Sequence, residues 1–158
     1  MSSRRKAREV LLKILYLSES REINVDAAIS EMSAIDEVIA DMTDDSEIKH
    51  LKPFSLGLDE KQEKFVITLA RKIEENKDVL NDNIKPFLKN WDFSRISRID
   101  RIIMWIALAE MLYMFDIPPA VSINEAIELA KKFSSEKSPS FINGILDTAV
   151  RNMGVKVK

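Results

Sequence analysis

Apolar residues recur at intervals of three and four along nearly the whole chain, the period of helices that each bury one face. No stretch alternates in the manner of a half-buried strand. Ala7, Val10, Leu11, Ile14 and Leu15 predict a first helix from near Ser3. Ala28, Met32, Ile35, Ile39 and Met42, spaced 4, 3, 4 and 3, predict a second after a cap at Asn24 or Asp26. Polar and acidic residues then take over, and Pro53 and Gly57 punctuate a loop from about Thr43 to Leu58. A long helix is expected from Asp59, with Phe65, Val66, Leu69, Ile73, Leu80, Ile84 and Phe87 on its inner side and Pro86 kinking it late.

After a break near Asn90 to Ser94, the span from about Arg95 to Phe115 is apolar almost all round, which assigns it to the centre of a bundle. Pro118 and Pro119 end it. Ser122 with Glu125 three residues on has the form of a capping box and is read as the start of a helix with Ile123, Ala126, Ile127, Ala130 and Phe133 inward. Ser138 as cap and Pro139 at the first helical position open a last helix, with Ile142, Ile145, Leu146, Ala149 and Met153 inward and Gly154 as its stop. The expected fold is all-α, with six or seven helices in one domain of 158 residues. Its length allows at most two small subdomains, and helical subdomains of about 1–90 and 91–158 are expected.

Composition removes most chemistry. The chain has no Cys and one His (His50), which excludes zinc-thiolate sites, iron–sulfur clusters and thiol nucleophiles and fits a reducing, cytoplasmic compartment. Gly57, Gly144 and Gly154 lie too far apart for a dinucleotide fingerprint or a phosphate-cradling loop. No cofactor, metal or catalytic activity is expected. His50 has no nucleophile beside it, and Asp44-Asp45-Ser46-Glu47 lacks the calcium-loop spacing. Glu110, inside the apolar helix, is expected to pair with an Arg or to cap backbone groups, since an unpaired buried charge is costly. Ile102 to Phe115 is too short to span a membrane, and Lys13 interrupts the apolar run that a secretory leader needs.

Charge is where a function first shows. The net charge of −2 hides a head from Met1 to Lys13 of +4 and a stretch from Glu19 to His50 of −8. At about 100° per residue, Arg5, Arg8, Leu12 and Tyr16 fall on one stripe, opposite Val10, Ile14 and Leu17. Arg4, Arg5, Lys6 and Arg8 can neutralise phosphates while an unstacked base lies on Tyr16, the combination that suits single-stranded RNA. The same residues also fit a solvated helix end with Tyr16 packed under a neighbour. Basic residues at a helix start oppose its dipole, at a cost of roughly 0.3 to 1 kcal/mol that a bound phosphate removes.

Specific strings then resemble a known family. Arg4-Arg5-Lys6-Ala7-Arg8-Glu9 leading to Leu15-Tyr16 is similar to the start of the NusB family of bacterial transcription antitermination factors. Asn90-Trp91, Arg95 to Arg101 and Ala109-Glu110-Met111-Leu112 resemble its central stretch. The most specific run extends from Asp116-Ile117-Pro118 through Ser122-Ile123-Asn124-Glu125-Ala126 to Phe141-Ile142-Asn143-Gly144-Ile145-Leu146-Asp147. Much of that run also serves capping and core alternation, with close packing expected at Asn143-Gly144.

The resemblance implies a NusB-like helical bundle without catalytic activity. It implies pairing with NusE, a small-subunit ribosomal protein, on single-stranded boxA RNA of ribosomal RNA leaders. RNA polymerase and other Nus factors complete the elongation complex. Carried over residue by residue, RNA contacts fall on Arg4, Arg5, Lys6, Arg8 and Tyr16, and on the turn and helix start at Ser138 and Phe141. Asp100 is the implied contact for basic NusE. Lys137-Ser138-Pro139 stands where many relatives have Asp-Ser-His, so Lys137 adds positive charge beside the expected RNA path. Ser134 replaces a common Gly, and Trp105 and Ala109 replace Arg and Tyr. Free in solution, the chain is expected to be a monomer or homodimer, with no membrane association. The competing reading is a protein-binding or self-associating helical module, its outer stripe buried against another chain.

Overall fold

A computed structural model of the chain describes residues 3–43, 56–88 and 92–153, with side chains given for these except residues 3 and 35–43. Seven α-helices and two 3-10 turns occur among the described residues, and no strand. The all-α expectation holds. The chain divides into two compact units, Met1–Arg71 and Lys72–Lys158.

In the first unit, α1 (Ser3–Arg21) buries Ala7, Val10, Leu11, Ile14 and Leu15 as its spacing requires. It stops at Glu22, whose φ of 53° is left-handed, and Ile23 N donates back to Ser18 O at 3.1 Å, closing the last turn. The second helix, α2 (Val25–Thr43), is capped by Asn24, whose Oδ1 accepts from Ala27 N at 2.8 Å. Asp26 in its first turn favours the positive end of the helix and pairs with Arg71 at 3.1 Å. The side chains of Ile35, Ile39 and Met42 lie outside the described residues. So do the acidic loop from Asp44 to Ser55, with His50 and Pro53, the pair Asn90-Trp91, and Gly154.

The next helix, α3 (Glu60–Glu75), has a reciprocal cap: Gln62 N donates to Asp59 Oδ1 and Asp59 N to Gln62 Oε1, both at 2.8 Å. It does not continue to Pro86. Asn76 leaves helical geometry (φ −126°, ψ 24°), and its Nδ2 donates to Lys72 O at 2.8 Å, taking the place of a main-chain donor there. A short α4 (Lys77–Asp82) follows, then a 3-10 turn, Lys85–Phe87, holding Pro86.

The second unit is built around α5 (Arg98–Tyr113), in which every residue from Ile102 to Met111 is buried. Ile102, Ile103, Ile106 and Leu108 are each at most 1% exposed, and each is worth about 1.5–3 kcal/mol of burial. Trp105 is 2% exposed and donates from Nε1 to Asn81 Oδ1 at 2.7 Å. Packed on α5 are α6 (Pro119–Phe133) and α7 (Ser138–Asn152).

Two expected helix starts need correction. Helix α6 begins at Pro119, where a missing N–H costs nothing, so Ser122 and Glu125 lie inside it and are buried. The Ser122 hydroxyl therefore serves the core, donating to Glu110 Oε1 at 3.0 Å. Helix α7 begins one residue earlier than expected, with Ser138 as its first residue and Lys137 in the cap position without a side-chain hydrogen bond.

Candidate nucleic-acid interface

Helix α1 opens with no acidic residue in its first turn. Arg4 and Arg5 are half-buried, Lys6 is exposed, and Tyr16 is 42% exposed. Arg8 and Leu12, expected on the same outward stripe, are 2% and 3% exposed. Arg8 lies against Phe65 of α3, a buried ring over which the Arg4 and Arg8 guanidinium carbons sit at 5.1 and 5.6 Å from the centroid. Cation–π contacts of this kind are worth about 0.5–2 kcal/mol, more as they are desolvated. One turn apart on α1, the two arginines share one ring.

Sequence reasoning placed Phe65 in the core and missed that it organises the basic head. The only local signal is the four-residue spacing of Arg4 and Arg8. Lys6 also has an internal partner: its Nζ donates to Gly57 O at 2.8 Å. Gly57 has φ +77°, and a Cβ there would stand 2.7 Å from Lys6 Nζ, so glycine permits both the turn and the approach.

The other implied residues gather in the second unit. Asp100, Lys137, Ser138 and Phe141 line a pocket of about 280 Å³ together with Arg95, Ile96, Ser97 and Ser135. Lys137 and Arg95 are exposed, and Phe141 is half-buried. Their neighbour Ser138 is 3% exposed. Asp100, expected as a contact for a basic partner, is 8% exposed, and both of its oxygens accept hydrogen bonds, Oδ1 from Ser134 Oγ at 2.5 Å and Oδ2 from Ser138 Oγ at 2.9 Å. On the approach to the pocket, the 3-10 turn Phe93–Arg95 is capped by Asp92, which accepts from Ser94 N at 3.0 Å. The Ser94 N–H, and after it the Ser94 hydroxyl, hold the Asp92 carboxyl below its usual value, against a smaller desolvation effect.

Among the described residues, no cluster of His, Cys, Asp or Glu is arranged to hold a metal ion, and no helix is long and apolar enough to cross a membrane. The described residues form an all-α protein in which cationic and aromatic side chains gather at the start of α1 and at the α6–α7 turn. The sequence profile of the NusB family matches residues 5–151. Transcription antitermination protein NusB of Clostridium kluyveri is 39% identical over 155 residues, covering 98% of this chain and 99% of that protein. The protein of the same name from Methylacidiphilum infernorum is 36% identical over 156 residues, covering 99% and 96%. Among solved structures, T. maritima NusB superposes with a TM-score of 0.74 at 31% identity, covering 94% of this chain and 90% of the other. The chain belongs to the NusB family of transcription antitermination proteins. Both relatives are named as transcription antitermination proteins.

Proposed function

We propose that this protein is a non-enzymatic, RNA-binding antitermination factor that pairs with NusE on single-stranded boxA RNA and so helps RNA polymerase to keep elongating. The observation that carries the reading is the cationic start of α1. Phosphates would be neutralised by these cations and a base stacked on the Tyr16 ring. Support from the second unit comes from Lys137 and Arg95 beside the half-buried Phe141 ring.

Salt titration with a boxA-type oligonucleotide tests it. Neutralising three or four phosphates gives a slope of log affinity against log salt of about −2 to −3 for a single strand. A slope near zero, or no retention of RNA at low salt, ends the reading. Mixing the chain with NusE and the oligonucleotide, then sizing the complex, tests the pairing.

Phe115, 88% exposed, and Val121, 43% exposed, favour a second reading, a protein-binding or self-associating module. That reading expects assembly without RNA and little dependence on salt.

A further inference from the structure

One buried carboxylate holds together the segment on which Lys137 and Phe141 ride. Asp100 is the third residue of α5, its N–H donates to the capping Ser97 Oγ at 3.1 Å, and its carboxylate points away from that turn to receive Ser134, at the end of α6, and Ser138, at the start of α7. Ser135 Oγ lies 2.9 Å from Ser138 Oγ. A single side chain thus joins three helix ends, and between the two anchored serines lie Ser135, Glu136 and Lys137.

Proton accounting shows what the carboxylate does there. Each serine hydroxyl carries one proton. Those of Ser134 and Ser138 go to Asp100, and that of Ser135 goes to Ser138. None remains for the Ser134–Ser138 oxygen pair, which nevertheless stands at 2.8 Å. The two-point attraction of the carboxylate bridges that pair, and an apolar residue in its place would leave the two hydroxyls to bond to each other with no tie to α5.

We infer that Asp100 is a positioning residue, which fixes the α6–α7 turn so that Lys137 and Phe141 present one cation and one ring to an RNA strand, and that it is not itself a partner contact. This rests on the reading that RNA meets this turn. Asparagine is the informative replacement. Its Oδ1 accepts from Ser134, its Nδ2 donates to Ser138, and the Ser138 proton then bridges to Ser134, so the geometry survives without the charge. Alanine supplies neither bond.

The test compares Asp100→Asn and Asp100→Ala in the full chain by two measurements. Hydrogen exchange of the free protein reads the amides from Ser134 to Phe141, with those of α1 as a folding control. Filter binding of a single-stranded boxA-type oligonucleotide reads function. Expected is faster exchange in this segment for Asp100→Ala alone, and RNA binding weakened roughly 3- to 10-fold by Ala, the scale of one hydrogen bond. Asn should leave binding unchanged or tighter, since a negative charge beside phosphate is gone.

Equal weakening by Asn and Ala would make the charge itself a contact and overturn the inference, as would unaltered exchange in both. Should Asp100→Ala not fold, Ser134→Ala removes one anchor and must accelerate the same amides. If the unaltered chain binds no RNA, the functional reading falls, and exchange alone then decides the positioning.

Discussion

The Ser122 hydroxyl donates to Glu110 Oε1 at 3.0 Å, and each residue is 1% exposed. This bond joins α6 to the last turn of α5 and gives a donor to a carboxylate that water does not reach. Removing the donor takes one hydrogen bond from a buried carboxylate, a loss of about 1–3 kcal/mol. Ser122→Ala is therefore expected to lower the unfolding free energy by that amount, read as a lower urea midpoint with an unchanged slope. Val121→Ala, at the exposed neighbouring position, should move stability by less than about 0.5 kcal/mol. Equal effects from the two variants would mean that the buried bond contributes nothing.

Arg8 and Arg5 separate packing from binding. Arg8 is buried against Phe65, whereas Arg5 is half-buried. Arg8→Ala should cost about 1–2 kcal/mol of stability through the lost ring contact and buried stem. Arg5→Ala should cost less and act mainly on RNA affinity. Thermal melts beside oligonucleotide binding check the pair, and a larger melting shift for Arg5→Ala would contradict the burial pattern.

The helices of this fold were legible because three-and-four spacing is local, and so was the Asp59 start of α3. Capping strings were less so. Ser122-x-x-Glu125 and Asp59-x-x-Gln62 carry the same type of pattern, yet only the second is a cap; Pro119 starts α6 earlier and turns Ser122 toward a carboxylate 12 residues before it. The break at Asn76 depends on a side-chain amide competing with the main chain, which apolar periodicity does not register. At the candidate site, cationic residues were readable as residues, but their surroundings were not. Phe65 meets Arg8 from a different helix, and Asp100 meets Ser134 and Ser138 from 34 and 38 residues away. Two expected surface groups that make such contacts, Arg8 and Asp100, are buried.

Asp92 gives the acid-side prediction. Its carboxyl is held below the usual 3.8 by the Ser94 N–H and then the Ser94 hydroxyl. A folded-state value below the unfolded one means stability that is present above the unfolded value and is lost as pH falls through the folded one. The window is therefore below about pH 4. Asp92→Ala should remove this contribution at neutral pH and bring its stability curve closer to that of the unaltered chain as the solution is acidified. Unfolding midpoints between about pH 2 and 5 check it; a constant gap between the two curves across that range would refute it.

Asn143 and Gly144 are exposed on α7, and among the described residues a Cβ built at Gly144 meets nothing within 4 Å, so no described residue makes the close packing expected there. Thr148 Oγ1 donates to Gly144 O at 2.9 Å, a bond that an alanine leaves intact. A glycine within a helix costs about 0.5–1 kcal/mol relative to alanine through backbone entropy. With no contact among the described residues requiring it, Gly144→Ala is expected to stabilise the chain by that amount, read as a higher melting temperature. A lower melting temperature would mean that the surface is not open as described. If stability rises while RNA or NusE binding falls, the glycine serves the close approach of a bound molecule, because the added methyl group meets none of the described residues.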